Sequence, residues 1–410
     1  MTATTSSGAD GDLVVVADRL WDGERLVADG HARVLVRRGR VEAVGRDVDT
    51  AWATDTVVLP GHTLLPGLID CHVHVLDEAM VTEPIGVQVL WALTAMRALL
   101  DNGFTTVRDL GCGDYPGNVD LRRAQSEGVV TGPRLVAAPN MLSARGGHGE
   151  KRPSLATRYG LQVGTLGDGV DEVVRRVREQ ARAGAEWIKF AGSGGFSSPA
   201  DDPATVTYSQ AEVDAIVGAA HDLGLPCAVH AFNDEAVRRA VRAGVDSVEH
   251  ANMAGEETFA LLAERGVPLV PTLHSMAHFL GHLDDDEFWE GEPPVVRAQF
   301  RTHADRIRAS SRLLVGSGAT LVFGTDASVF PYEDNWREFV DMTEVGIPPA
   351  HALRAATATA ADLLKRPDLG RLRPGCAGDL VAVPGNPLTN ISVMGKVDFV
   401  VQDGHVLTRP

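Results

Sequence analysis

Two histidines, His72 and His74, stand one residue apart in "PGLIDCHVH", where a short apolar run ends. In a β-strand, residues two apart point to the same face, so both imidazoles would face one way while Cys71 packs on the other side. Neutral imidazole is a good ligand for zinc and similar divalent ions. The pair therefore has two interpretations: incidental polar residues at a strand end, or two ligands of one site.

Four further polar residues lie in or end other short apolar runs. Functional residues of a barrel of parallel strands come from the C-terminal ends of those strands, so all six side chains would meet at one mouth. Imidazole nitrogens and a carboxylate are the donors of catalytic metal sites that keep a position open for water. Without a metal, these polar groups would be costly to desolvate. The four residues are Lys189 in "WIKFAG", His230 in "AVHAF", His250 in "VEHAN" and Asp326 in "FGTDAS".

Lys189 is the unusual member of this set, because a charged ammonium repels a metal cation. The pKa of a lysine falls when its side chain is desolvated beside positive charge. The neutral amine can then react with carbon dioxide to form a carbamate, an anion with two oxygens that can bridge two metal ions. A lysine in this place therefore favours a binuclear site.

Each of these residues also has a structural alternative. A histidine at a strand end is commonly only hydrogen-bonded, and Asp326 could cap the turn that follows it. Lys189 could instead pair with Glu186 or Asp109. The joint pattern of residue types over the predicted strands one, four, five, six and eight favours the metal site over these separate explanations.

The elements that must position these residues alternate between residue 64 and about residue 366. Short apolar strands are followed by stretches with apolar residues at helical spacing, several of which end in glycine. Ser209 and Glu212 fit a capping box at one helix start. Parallel strands need helical crossovers, so eight such units predict an α/β fold, a (β/α)₈ TIM barrel. The strand candidates are "LLPGLIDCHVH", "TTVRDLG", "RLVAAPNML", "EWIKFAG", "PCAVHAF", "DSVEHAN", "PLVPTLH" and "TLVFGTD".

The two ends of the chain have a different pattern, rich in β-strand residues and without helices. "RRGR" between two valine-rich runs predicts a tight hairpin near the N-terminus. Because chain termini are often close in space, both ends are expected to form one small domain. The predicted organisation is a disordered tail over 1–11, a composite β-sandwich domain from 12–62 and 367–410, and the barrel over 63–366.

The composition excludes several classes of function. The net charge is −17, which argues against a nucleic-acid surface. No apolar run is long enough to span a bilayer, and the start of the chain lacks the basic and apolar regions of a signal peptide. The four cysteines are scattered, which predicts reduced thiols and a cytoplasmic protein. Assembly into a homo-oligomer stays open.

Several motifs together resemble the metal-dependent amidohydrolase superfamily over nearly the whole chain. "PGLIDCHVH" is similar to the first-strand motif of that superfamily, and "GDLVAVPGNPLTNI" with "VDFVVQDGHVL" is similar to its C-terminal β-domain. "LSARGGHGE", "WIKFAGSGGF" and "TYSQAE" resemble its imidazolonepropionase-like and prolidase-like branch, which includes Xaa-Pro and Xaa-Arg dipeptidase-like enzymes.

The resemblance implies a role for each matching residue. His148 in "GGHGE" and Tyr208 would contact the substrate, and Tyr208 or the second metal would polarise its carbonyl. Asp326 would also transfer a proton during catalysis. Arg145 departs from the motif of the branch, so it either binds a substrate carboxylate or only pairs with Glu150. The implied metal ligands are His72, His74 and Asp326 for the first ion, His230 and His250 for the second, and a carbamylated Lys189 between them.

The activity that follows is hydrolysis of an amide bond by metal-bound hydroxide, with two divalent ions, Zn²⁺ being expected, and a small-molecule substrate. A dipeptide or an N-acyl amino acid is the expected substrate. A lactonase, a phosphotriesterase or a cyclic-amide (imidazolone-like) hydrolase could use the same site, and a non-catalytic scaffold is a further alternative. Specificity is expected from loops 143–160, 193–208 and 274–296. Cationic residues in the first loop, which include Arg145, Lys151 and Arg152, favour an anionic substrate.

Overall fold

The structure is a computed structural model of the 410-residue chain. The predicted tail over 1–11, together with Lys151 and Arg152, lies outside the residues that it describes. The described residues are 12–48, 53–76, 80, 83–111, 115–150, 158–160, 163–197 and 201–410.

Strands and helices alternate along the middle of the chain, with further strands at both ends. Within the described residues the strands are β1 (Leu13–Trp21), β2 (Leu26–Arg37), β3 (Arg40–Gly45), β4 (Asp55–Pro66), β5 (Leu68–Val73), β6 (Phe104–Asp109), β7 (Arg134–Ala137), β8 (Met141–Ser143), β9 (Thr165–Leu166), β10 (Ile188–Ala191), β11 (Cys227–Ala231), β12 (Ser247–His250), β13 (Leu269–Val270), β14 (Leu380–Pro384), β15 (Phe399–Gln402) and β16 (His405–Thr408). The α-helices are α1 (Ile85–Asp101), α2 (Gly117–Ser126), α3 (Val170–Ala183), α4 (Gln210–Asp222), α5 (Asp234–Ala243), α6 (Glu256–Arg265), α7 (Leu273–Gly281), α8 (Pro294–Leu313), α9 (Arg337–Glu344), α10 (Pro349–Ala355) and α11 (Ala358–Leu363). Short 3₁₀ helices span Tyr332–Asp334 and Ile391–Lys396.

Both ends of the chain contribute to one seven-stranded sheet, in the order β16-β15-β14-β4-β1-β2-β3. β1 and β4 are parallel, and the other pairs are antiparallel. The predicted hairpin is present: Arg37 pairs with Arg40, and the two turn residues, Arg38 and Gly39, have φ of 50° and 72°. Positive φ at both turn positions matches the right-handed twist of the flanking strands. The strands from the two termini therefore share one sheet, as the sequence predicts.

Parallel strands occupy the middle of the chain, in a three-stranded sheet, β5-β6-β7, and a six-stranded sheet, β13-β12-β11-β10-β8-β9. The predicted third strand is split: β7 pairs with β6, whereas β8 pairs with β10. The predicted eighth strand is not a regular strand. It forms single parallel bridges on both sides, Leu321 with Leu269 and Ala327 with Val73. These bridges connect the two parallel sheets.

Helix ends follow their local sequence signals. The capping box predicted at Ser209 and Glu212 is present at the start of α4. α3, α5 and α6 end at glycines in the left-handed conformation, where a side chain would be strained. Within the described part of the chain, no helix combines the length and the apolar character that crossing a membrane requires.

Two apolar clusters bear on the site. The large core packs strands against helices and includes Phe104, Val229, Phe323 and Phe339. A smaller cluster lies against α7 and α8 and is rich in aromatic side chains. Its buried members are Phe196, Phe232, Met253, Met276, Trp289, Val296, Phe300 and Ile307.

Candidate active site

The ends of β5 and of the bridged segment that follows β13 bring His72, His74 and Asp326 together. Asp326 Oδ1 lies 3.3 Å from His72 Nε2 and 3.1 Å from His74 Nε2. One ligand atom from each residue falls within 4.8 Å of the others. Although burial opposes its ionisation, His72 and His74 hold the pKa of Asp326 well below its ordinary value. An anionic oxygen between two imidazoles is a suitable donor set for one divalent cation.

A buried ionic network fixes the ring of His72. Its Nδ1 lies 2.9 Å from Glu249 Oε2, and Arg108 donates to Glu249 Oε1 at 2.9 Å. Ser247 donates to the same oxygen at 2.6 Å, and Arg108 Nε donates to the Cys71 carbonyl at 2.6 Å. Burial raises the pKa of Glu249, but Arg108 and His72 outweigh it and hold that pKa at about 2. The carboxylate therefore orients the imidazole, as carboxylates commonly do behind metal-binding histidines.

Glu249 and Arg108 were not among the residues predicted from the sequence. Both are fully buried, at 0% exposure. Charged residues are almost never fully buried unless they are paired. The sequence does contain a signal for them: a glutamate and an arginine lie inside the apolar strands "DSVEHAN" and "TTVRDLG", directly before His250 and Asp109.

His230 and His250 form the opposite side of the site, at the ends of β11 and β12. Their ring centroids lie 4.7 Å apart, and the His250 ring lies 4.8 Å from that of His72. His250 Nδ1 lies 2.8 Å from Thr272 Oγ1, whereas His230 Nε2 lies 3.2 Å from the Gly194 carbonyl. Burial lowers the pKa of His230 to about 3 and that of His250 well below its ordinary value. Both imidazoles are therefore neutral at pH 7, the form that binds metals.

Lys189 lies in β10 with its ammonium buried beside these histidines. Its Nζ has no hydrogen-bond partner among the described residues. The alternative partners are bound by other groups: Glu186 pairs with Arg122, and Asp109 accepts from backbone amides and Asn118. Burial lowers the pKa of Lys189 to about 8, against the opposing effect of Glu249 and Asp326. A buried amine without a partner is costly, so this position suits a group that would satisfy it.

Two of the candidate ligands have unusual backbone conformations. His250 has φ of 71° and Asp326 has φ of 64°, both in the left-handed region. Residues other than glycine are uncommon there, although histidine, aspartate and asparagine tolerate it better than most. Both side chains line the cavity, so the unusual backbone conformation occurs at two of the candidate ligands.

His148, a predicted substrate contact, lines the same cavity. Its ring stacks on that of His230, with centroids 4.4 Å apart and planes at 14°. Its Nδ1 lies 3.9 Å from Asp201 Oδ2. Gly195 makes this placement possible, because a Cβ at that position would lie 2.1 Å from the His148 ring.

Tyr208 and Arg145 are not brought to the cavity. The Tyr208 hydroxyl is buried and donates to the Gly167 carbonyl at 3.1 Å. The Arg145 guanidinium is half exposed and binds Asp168 at 2.6 Å and Glu172 at 3.2 Å. The alternative partner Glu150 accepts from the Gly146 amide instead. The structure thus gives both residues protein partners where a substrate contact was predicted.

One cavity contains the six candidate metal ligands together with His148. Aromatic and sulfur-containing side chains form another part of its lining. The candidate ligands, His148 and this apolar surface therefore line the same cavity. The ligand residues are His72, His74, Lys189, His230, His250 and Asp326, and the apolar part includes Met141, Phe196, Phe232, Met276, Phe279 and Phe300.

Known proteins resemble this chain in both sequence and fold. Residues 63–407 match the amidohydrolase family. Ochratoxinase from Aspergillus niger is 30% identical over 385 residues, which cover 85% of this chain and 76% of that protein. The crystal structure of a Xaa-Pro dipeptidase with methionine bound in the active site aligns with a TM-score of 0.88 at 32% identity, covering 97% of this chain and 100% of that one. A prolidase complexed with N-methylphosphonate-L-proline aligns with a TM-score of 0.86 at 32% identity, covering 97% and 100%.

Proposed function

The chain belongs to the amidohydrolase family, and from that premise we propose that it hydrolyses an amide bond of a small dipeptide or N-acyl amino acid with two divalent metal ions. The resemblance inferred from sequence motifs, including the prolidase-like branch, is confirmed by the family match and the solved relatives. The prediction that the protein is a hydrolase is confirmed at the level of the family.

The single observation that carries the proposal is the shared cavity of the six candidate ligands. Their chemistry fits two ions, because four imidazoles, one carboxylate and one buried amine without a hydrogen-bond partner among the described residues converge there. Zn²⁺ suits this nitrogen and oxygen donor set. We assign His72, His74 and Asp326 to one ion and His230 and His250 to the other. Lys189, as a carbamate, would hold both.

Two bound divalent ions would supply Lewis acidity, which makes water nucleophilic near neutral pH and polarises a carbonyl. Asp326 lines the cavity, and its carboxylate is ionised at pH 7, so it can accept a proton. It would take the proton from the attacking water and deliver it to the leaving nitrogen, which leaves poorly unless it is protonated. His148 would contact the substrate beside His230. Tyr208 and Arg145 have no part in this proposal, because protein groups bind their polar atoms.

The same premise extends to the fold. We propose that residues 63–366 form a closed (β/α)₈ barrel, with the bridged segment after β13 as the eighth strand. The single bridges at Leu321 and Ala327 support this, because they link β13 and β5 through this segment. The split third strand supports it as well, since β7 pairs with β6 and β8 pairs with β10. Residues 12–62 and 367–410 would form the second domain around the seven-stranded sheet.

The substrate class is supported by the names of the relatives, a Xaa-Pro dipeptidase and a prolidase with a proline derivative bound. The test is a panel of dipeptides, N-acyl amino acids, lactones and phosphotriesters, assayed with protein reconstituted in Zn²⁺ and with its metal content measured. We expect about two ions per chain and the highest kcat/KM for amides. Higher kcat/KM for lactones or phosphotriesters, or one ion per chain, would contradict the proposal, and inactivity on all classes would favour a scaffold.

A further inference from the structure

We propose that the cavity binds a large apolar or aromatic group next to the scissile amide, on an aromatic wall formed by Phe196, Phe232, Met276, Phe279 and Phe300. This inference rests on the proposed amide hydrolysis and specifies its substrates. All five side chains line the same cavity as the candidate metal ligands. The wall therefore lies within reach of any substrate whose amide is at the polar end.

The aromatic rings of the wall contact one another in succession, starting beside the candidate ligand His250. Phe232 stacks on the His250 ring at a centroid distance of 4.9 Å and meets the Phe196 ring edge-on, also at 4.9 Å. Phe196 stacks on Phe300 at 4.6 Å, and Phe300 stacks on Phe279 at 4.6 Å. This continuous run of rings offers an apolar ligand group contacts from His250 outwards.

Buried side chains pack behind the wall. Phe196, Phe232 and Phe300 are 3%, 4% and 1% exposed. Met253, Val296, Ile307 and Trp289 belong to the same buried cluster. The Trp289 indole donates to the His282 carbonyl at 2.8 Å, which fixes its ring. A preformed apolar surface avoids the cost of ordering side chains when a ligand binds.

Phe279 is the wall residue best suited to a test. It is only partly buried, and it lies on α7 within the predicted specificity loop 274–296. The wall also alters the expectation of an anionic substrate: Arg145 binds acidic neighbours, and no arginine is among the described residues that line the cavity. An apolar substrate group agrees better with these contacts.

The experiment compares matched substrates that differ only in one apolar group. N-acetylphenylalanine is paired with N-acetylalanine, and N-phenylacetylalanine with N-acetylalanine, so that both sides of the amide are tested. The wild-type enzyme should favour the aromatic member of at least one pair by about 10- to 100-fold in kcat/KM. Phe279→Ala should reduce that preference about tenfold, and Phe279→Leu should reduce it less.

Phe288→Ala is the matched control. Phe288 is also partly buried and packs against the same cluster, but it is not among the described residues that line the cavity. Its variant should keep the wild-type preference. Equal effects of Phe279→Ala on both members of every pair, or no preference in the wild-type enzyme, would overturn the aromatic wall as a substrate site.

A binding measurement separates this inference from the proposed reaction. Calorimetry with 4-phenylbutyrate and metal-loaded protein should show binding that Phe279→Ala weakens about tenfold and Phe288→Ala leaves unchanged. If the wild-type enzyme cleaves no amide but binds this probe in that pattern, the proposed reaction fails and the wall stands. If it cleaves amides without binding or preferring apolar groups, the wall fails and the reaction stands.

Discussion

The two sides of the cavity differ in how their polar groups are satisfied. On the first side, His72 and His74 contact Asp326 directly at 3.3 Å and 3.1 Å. On the second side, His230 and His250 each have one neutral partner, and Lys189 Nζ has none among the described residues. The first side is therefore ordered by the protein itself, whereas the second contains a buried amine that none of the described residues satisfies.

This difference indicates what each side would contribute to the proposed metal site. Direct hydrogen bonds and the Glu249–Arg108 pair preorganise the first side before any ion binds. The second side depends on a further group to compensate the desolvated amine. Substitutions on the first side should thus affect chemistry and affinity, and a substitution of Lys189 should affect the number of ions.

Asp326→Asn should give the largest loss. Asparagine keeps a side-chain oxygen but cannot accept a proton, so kcat should fall by about 10²- to 10⁴-fold. Metal content, measured by plasma mass spectrometry, should stay near the wild-type value. Asp284→Asn, at a side chain that is 97% exposed, serves as the control. Loss of metal together with activity would instead identify Asp326 chiefly as a ligand.

Lys189→Met should lower the metal content from about two ions per chain towards one, with a loss of activity that follows the missing ion. In the metal-free protein, methionine replaces a buried amine that has no partner among the described residues. The free energy of unfolding in denaturant should therefore rise by about 1 kcal/mol. If this variant still binds two ions, Lys189 is not needed as a bridge between them.

Glu249→Gln should weaken the affinity for the ion at His72 by about 10- to 100-fold, because the His72 ring loses its carboxylate partner. Competition with a chromophoric chelator measures this constant directly. Glu257→Gln, at a side chain that is 93% exposed, should leave it unchanged. Unchanged affinity in Glu249→Gln with intact folding by circular dichroism would mean that Glu249 only neutralises Arg108.

Arg145→Ala should have the smallest effect, since its guanidinium is half exposed and is bound by Asp168 and Glu172. Exposed ion pairs contribute about 0.2–1 kcal/mol to stability. We expect kcat/KM for N-acyl amino acids to stay within about twofold of the wild-type value. A rise in KM for substrates with a free carboxylate, relative to their amides, would restore Arg145 as a substrate contact.

Much of the fold and of the polar part of the site could be predicted from the sequence. Strand and helix periodicity, the "RRGR" turn and the Ser209 capping box depend on neighbouring residues, which the sequence shows directly. The ligand candidates could be found because each one ends or interrupts an apolar run.

The remaining features depend on contacts between distant parts of the chain. Glu249 meets His72 across 177 positions, and Arg145 meets Asp168 across 23. The aromatic wall joins residues from separate loops and helices, among them Phe196, Phe232 and Phe300, whose individual positions look like ordinary core residues. Local patterns do not specify such pairings, because they are set by how the elements pack.

Because His250 and Asp326 have a left-handed backbone, selection for stability and selection for activity should favour different residues at these two positions. Holding residues other than glycine in this region costs about 1 kcal/mol or more at each position. A library selected only for heat resistance without metal would therefore drift at these two positions towards glycine or asparagine, which adopt the conformation more easily. Selection for turnover would retain the histidine and the aspartate. Proteins from the two kinds of selection would therefore differ at positions 250 and 326.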